Sequence, residues 1–302
     1  MQQAASAKSV ENIFIELALE DLRRAADLFR PVFDASQHRD GWVSMEISPL
    51  LAEDTGASIQ AALQMYKQAN RPNLFVKIPG TPAGIPAIEE MIYAGVPINV
   101  TLLFSLEQYR AAAEAYLRGI ERRVTAGLDP DVGSVASMFV SRWDVAVKNK
   151  VPESLHNKLG IAICGQIYHD WCEMLLSSRW RRLADAGAKT QRLLWASTGT
   201  KDPSASATLY IEALVAADTI NTIPEKTLLA FVKQGSVNSV LAMDGIKAAA
   251  TLKQFEQTGI DINSLARQLQ REGTLSFVKS WQQLLQRVAD KTIPGQTNKK
   301  GK

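Results

Sequence analysis

The 302-residue chain is 46% hydrophobic and 22% charged, a balance that supplies a large core and excludes a disordered or collagen-like protein. Its formal net charge of +3 is small and spread along the sequence, so a nucleic-acid surface is not implied. No apolar run reaches the roughly 18 residues of a membrane-crossing helix, the first residues lack a secretory apolar stretch, and no Gly/Ser/Pro-rich linker divides the chain.

Ile13, Leu17, Leu22, Ala25 and Phe29 predict a first helix beginning near Glu11. Gly41 to Pro49 (GWVSMEISP) reads as a strand with Glu46 near its C-terminal end, followed by a helix from about Leu50 to Asn70. Asn73 to Thr81 (NLFVKIPGT) is the most informative segment. A strand buried on both faces of a parallel sheet is apolar on both, so Lys77 is out of place there unless it has a task. An amine held away from water sheds its proton more easily and becomes a nucleophile, as Schiff-base chemistry requires.

Pro79 and Gly80 end that strand, Ile85, Ile88 and Ile92 predict a helix closed by Gly95, and Ile98 to Phe104 forms the next strand of a β-α-β unit. Asn99 and Thr101 lie two apart and therefore share a face. Ser134 to Val140 is a further strand carrying Ser137, with Arg142 just beyond it. Cys164 and Cys172 lie eight apart on one predicted helix, too far along its axis for a disulfide, which fits a reducing compartment. Arg192 to Ser197 is a strand with Thr198 to Lys201 beyond, and Thr219 to Pro224 is a weaker one. The basic end, Asn298 to Lys302, reads as a solvated tail.

Polar residues thus collect at successive C-terminal strand ends, which in a β/α barrel open onto one face. Each has a plainer reading. Lys77 could reach solvent at the rim, Glu46 could be a rim ion-pair partner, Asn99 and Thr101 could be satisfied inside a barrel layer, and Arg142 could pair with Asp144 or Glu46. The stretch Gly80 to Gly84 is neither a Walker loop nor a dinucleotide fingerprint. His38, His156 and His169 are scattered and match no metal spacing, which disfavours a metal-dependent aldolase. His169 and Asp170 are expected on an exposed helix, and Tyr168, Trp171 and Met174 as packing.

Five segments, VSMEIS at 43–48, NLFVKIPGT at 73–81, INVTLLFS at 98–105, SMFVSR at 137–142 and RLLWASTGTKDP at 192–203, occur in the order found in transaldolases, and the chain resembles the longer bacterial subgroup of that family. The resemblance implies an α/β fold, a TIM-type (β/α)8 barrel. The family's two opening strands, the first bearing a catalytic aspartate, find no match here. The expectation is therefore a barrel truncated at its N-terminus to about six β/α units over 11–290 with C-terminal helices, a disordered 1–10 and a basic flexible tail at 291–302.

By the same resemblance Lys77 is the Schiff-base lysine, Glu46 the carboxylate that moves protons through a water, and Asn99 and Thr101 groups around the lysine and that water. Ser137 and Ser197 lie near the sugar hydroxyls and Arg142 holds the phosphate. The family's second phosphate arginine has no counterpart, and Lys201 stands in its place. The implied activity is reversible transfer of a dihydroxyacetone unit between sugar phosphates in the pentose phosphate pathway, in the cytoplasm, by a monomer or homodimer needing neither metal nor organic cofactor. The alternatives are a catalytically impaired remnant or fragment, and a fructose-6-phosphate aldolase-type lyase.

Overall fold

The computed structural model describes residues 9–292. Helix α1 (Val10–Ala35) starts where Ser9 accepts a hydrogen bond from the Asn12 amide, and leads to strand β1 (Val43–Glu46). A 3-10 turn at Pro49–Leu51 precedes α2 (Thr55–Ala69), which starts at Asp54, whose carboxylate accepts from the Ala57 amide, and stops at Asn70 in the left-handed conformation. The expected helix from Leu50 thus begins five residues later, because Pro49 and the Asp54 cap impose a separate turn. Then follow β2 (Leu74–Pro79), α3 (Gly84–Tyr93), β3 (Ile98–Leu103), α4 (Leu106–Thr125), β4 (Ser134–Phe139), α5 (Ser141–Val147), α6 (Leu159–Leu176), α7 (Ser178–Asp185) and β5 (Arg192–Ala196). The chain continues with α8 (Leu209–Ala213), β6 (Ile220–Asn221), α9 (Glu225–Gln234), α10 (Ile246–Gln257) and α11 (Ile262–Thr292).

All six strands are parallel and hydrogen-bond in sequence order, β1 to β6, as a curled half-barrel of TIM type. Strands β3 and β4 are buried along their whole length, their polar residues Asn99, Thr101, Ser134 and Ser137 included. The strands expected at 41–49, 73–81, 98–104, 134–140 and 192–197 all form, the first only over Val43–Glu46. The last is shorter than the expected 219–224: β6 pairs with β5 alone, through Ile220 and Asn221, and Pro224 has no amide to extend the ladder. His169 and Asp170 differ from the exposed helix expected of them, since His169 Nδ1 lies 2.8 Å from the Met243 carbonyl and Arg110 Nε donates to Asp170 at 3.0 Å. Cys164 and Cys172 are buried and unbridged.

At the N-terminal ends of the strands, the loop before β1 meets the loop before β6. Arg39 pairs with Asp218, and Arg192 donates to the Arg39 carbonyl at 2.9 Å and to Asp40 at 3.0 Å. Above this clasp lies a cavity of about 330 Å³ lined by Trp42, Phe75, Val135, Trp171 and Ile220 among others. Helix α11 runs back across the opposite end, packing on α1, β3 and the Pro49–Leu51 turn. Among the described residues no helix is long and apolar enough to cross a membrane. The N-terminal segment and basic tail expected from sequence lie mostly outside the described residues.

Asn73 joins three of these parts. Fully buried at the head of β2, it donates from Nδ2 to the Ala26 carbonyl at 2.8 Å and the Gly41 carbonyl at 2.9 Å. Replacing Asn73 with Leu removes two hydrogen bonds between these parts, and we expect a loss of about 1–3 kcal/mol, read as a lower urea midpoint at constant slope. An unchanged midpoint would show that the two bonds carry no net stability.

Candidate active site

Strand register places the candidate residues. Glu46 on β1 sits beside Lys77 on β2, Lys77 beside Asn99 on β3, and Pro79 beside Thr101. Asn99 in turn pairs with Val135 on β4. With side chains alternating faces, Ser44, Glu46, Lys77, Asn99, Thr101 and Ser137 all point to the concave side. Just past Thr101 a bulge between Val100 and Leu103 puts Leu102 at φ +57° and shifts the register, so that Leu103 pairs with Met138.

Lys77 Nζ lies 3.7 Å from Glu46 Oε2, and each side chain is 24% exposed. The distance is that of an ion pair without a tight hydrogen bond. Burial raises the Glu46 pKa above the ordinary carboxylate range, and the charge of Lys77 opposes the rise. Glu46 Oε1 is buried and makes no hydrogen bond among the described residues, and the same holds for Thr101 Oγ1 and Ser48 Oγ. Buried oxygens of this kind cost stability unless something else engages them. Beside the pair runs a hydrogen-bonded row in which Ser137 Oγ donates to Asn99 Oδ1 at 2.6 Å and Asn99 Nδ2 donates to Ser44 Oγ at 3.2 Å. The row fixes which way the Asn99 amide faces. Lys77 and Glu46 are each partly buried, and together they form an ion pair of the kind the plainer reading of Glu46 expects.

The remaining candidates stand at the ends of β4 and β5. Ser197 has φ +57° and its hydroxyl lies 3.1 Å from that of Ser141. Arg142, the second residue of α5, is half-buried, with its guanidinium carbon 5.1 Å from the Phe139 ring and 5.9 Å from the Phe277 ring. Burial lowers its pKa, and the charge of Glu272 opposes the shift. Among the described residues Arg142 makes no hydrogen bond or ion pair, so the pairing with Asp144 or Glu46 is not found. Asp144 instead accepts from the Leu159 amide at 2.9 Å, the Gly160 amide at 3.3 Å and the Tyr210 hydroxyl at 2.8 Å, and burial still pushes its pKa up to about 6. Lys201 is exposed and has no ion-pair partner among the described residues.

The structure therefore joins Lys77 to Glu46 and Asn99 to Ser137 directly. Arg142, Ser197 and Lys201 share the same end of the sheet without touching that pair. Four neighbours of the site escaped sequence reasoning: Ser44, Ser141, Phe277 and Gln270, the last donating to the Gly80 and Leu102 carbonyls. The two serines are unremarkable in composition, and the other two come from α11, far from the strands in sequence. Among the described residues no group of three or more His, Cys, Asp or Glu could hold a metal. A lysine amine facing a carboxylate of raised pKa can do nucleophilic and acid–base chemistry at one carbonyl carbon.

The family described as transaldolase/fructose-6-phosphate aldolase matches residues 1–288. Transaldolase 1 of Streptomyces avermitilis is 44% identical over 278 residues, which is 89% of this chain and 74% of that protein. The transaldolase of Saccharopolyspora erythraea is 42% identical over 296 residues, 95% of this chain and 80% of the relative. That of Mycolicibacterium smegmatis is 40% identical over 291 residues, 93% and 78% respectively.

The Glu46 titration is directly measurable. A carboxyl-carbon NMR titration should place its midpoint above the ordinary glutamate range, and higher still in Lys77→Met, because the substitution removes only the opposing positive charge. The linked stability has one sign. The raised folded pKa makes the Glu46 contribution fullest below the unfolded pKa, and it is lost as pH rises through the folded value. A midpoint at or below the ordinary range would refute this account.

Proposed function

The chain belongs to the transaldolase/fructose-6-phosphate aldolase family, and we propose that it is a transaldolase using Lys77 as a Schiff-base nucleophile. The observation that carries this reading is the Lys77 amine on the inner face of β2, 3.7 Å from Glu46. In its neutral form the amine attacks the ketone carbon of a ketose phosphate. Loss of water gives a protonated imine that draws electrons from the carbon–carbon bond to be broken.

Glu46, acting through a water, takes the proton from the hydroxyl whose carbon becomes the aldehyde of the departing aldose. The three carbons left on Lys77 form a dihydroxyacetone enamine. It adds to the aldehyde of an acceptor, Glu46 returns the proton through water, and hydrolysis of the new imine frees the product ketose. The substrates we assign are sedoheptulose 7-phosphate and glyceraldehyde 3-phosphate, giving erythrose 4-phosphate and fructose 6-phosphate, within the pentose phosphate pathway and in the cytoplasm. Asn99 and Thr101 orient the lysine and the water, Ser137 and Ser197 lie near the sugar hydroxyls, and Arg142 grips the phosphate, its fork suiting a dianion. Lys201 would serve as a second phosphate cation.

One observation favours a second reading. Ser44, next to Asn99 on the concave face, is exposed, so water reaches the reacting carbons and could hydrolyse the adduct to free dihydroxyacetone, a lyase outcome. Release of free dihydroxyacetone from fructose 6-phosphate without an acceptor would identify it.

Borohydride added with fructose 6-phosphate should fix a dihydroxyacetone mass on the tryptic peptide containing Lys77, since reduction traps only the imine. Lys77→Arg should abolish both label and turnover because arginine stays protonated. Label on Lys201, or an active preparation that takes no label, would overturn the assignment. Glu46→Gln should slow turnover by about 10²- to 10⁴-fold while Lys77 still labels. Full activity in that variant would remove Glu46 from the proton path.

A further inference from the structure

Arg142 is held by ring faces, not by an anion. Phe139 reaches it from the end of β4, and Phe277 reaches it from α11, the two rings 6.4 Å apart and inclined at 55°. A cation against an aromatic face is restrained while its N–H donors stay free, which a carboxylate partner would not allow. The segment of α11 that delivers Phe277 is anchored at its start. Gln270 is buried and its Nε2 donates to the Gly80 carbonyl at 2.9 Å and the Leu102 carbonyl at 3.0 Å, at the ends of β2 and β3. Gly273 then gives the clearance, because a Cβ there would lie 2.8 Å from Leu102 Cδ2 and 3.2 Å from Arg142 Nη1. Glu272 acts on Arg142 through its charge but forms no ion pair with it among the described residues, and accepts from Gln268 at 2.7 Å.

We propose that α11 from Gln270 to Phe277 forms the second wall of the phosphate subsite, with Phe277 a positioning residue that fixes the Arg142 fork and Gly273 the clearance it needs. The proposal rests on the reading of Arg142 as the phosphate-binding arginine. Phe277 acts through Arg142. It holds the guanidinium against Phe139 so that the donors point away from both rings, and phosphate binds without displacing an internal ion pair.

The test is calorimetric affinity of the full chain for fructose 6-phosphate and for inorganic phosphate. Phe277→Leu and Gly273→Ala are each expected to weaken both by about tenfold, and Phe277→Tyr, which keeps a ring face, to stay within about threefold of the unsubstituted chain. Unchanged affinity in Phe277→Leu overturns the proposal. So does equal loss in the Leu and Tyr variants, which would mean packing alone, or weakened sugar phosphate with undiminished inorganic phosphate, which would mean an effect not passing through Arg142. Arg142→Gln separates the two levels. If that variant binds both probes as before, the phosphate assignment of Arg142 fails and takes this proposal with it. If it loses both while Phe277→Leu does not, only the role of α11 fails. An unsubstituted chain that binds neither probe would overturn both.

Discussion

The adjacency of Glu46, Lys77 and Asn99 on three neighbouring strands is the constraint on which the site depends. Parallel pairing aligns these residues side by side, and a slip of one residue in β2 would turn Lys77 outward among the helices and bring Ile78 inward. The ion pair itself adds little stability. At 3.7 Å the attraction in partly solvated surroundings is about 4 kcal/mol, and removing two charges from most of their water costs several kcal/mol each. The Glu46 pKa moves upward despite the neighbouring cation, which shows that desolvation is the larger effect. An arrangement so poorly justified by stability is well suited to trading a proton.

The rest of the fold holds those three strands still. Asn73 ties the start of β2 to α1 and to the turn before β1, and Gln270 ties the ends of β2 and β3 to α11. Both ends of the lysine strand are therefore pinned by a buried amide whose bonds run between elements distant in sequence. Leu102 and Ser197 take left-handed backbone at the ends of β3 and β5, conformations that cost an ordinary side chain of order 1 kcal/mol and persist because neighbouring bonds fix them. The Leu102 carbonyl is one of the two that Gln270 holds.

Sequence patterning exposed the parts of this design that depend on local periodicity. Lys77 stood out because a single charge interrupts an apolar run, and Asn99 with Thr101 because a spacing of two assigns one face. The same reasoning located every strand among the described residues, missing only lengths: β6 stops early since it has one partner to bond. Contacts made by long-range folding left no such trace. Phe277 and Gln270 sit on a helix of mixed polarity whose sequence does not say which strand ends it will cross. Ser44 and Ser141 became visible only when Asn99 and Ser197 arrived beside them. His169 and Asp170 read as solvent-facing because their partners, Met243 and Arg110, lie far away along the chain.

The division of charge at the C-terminal end of the sheet has a consequence for selectivity. Three carboxylates lie near enough in the fold or the sequence to compete for Arg142, and among the described residues none forms an ion pair with it, although the charge of Glu272 is felt there. Glu46 faces Lys77, Asp144 is bound by the first amides of α6 and by Tyr210, where a helix N-terminus favours negative charge, and Glu272 accepts from Gln268 at the surface. Arg142 thus keeps its donors while losing part of its hydration. A guanidinium in that condition gains most from a group that is doubly charged, carries several acceptor oxygens and arrives from solvent, a description that fits phosphate far better than a carboxylate or a neutral hydroxyl. The strands that hold the amine and the carboxylate are different from those that lead to this cation. The sheet thereby keeps the Arg142 cation apart from the Lys77–Glu46 pair.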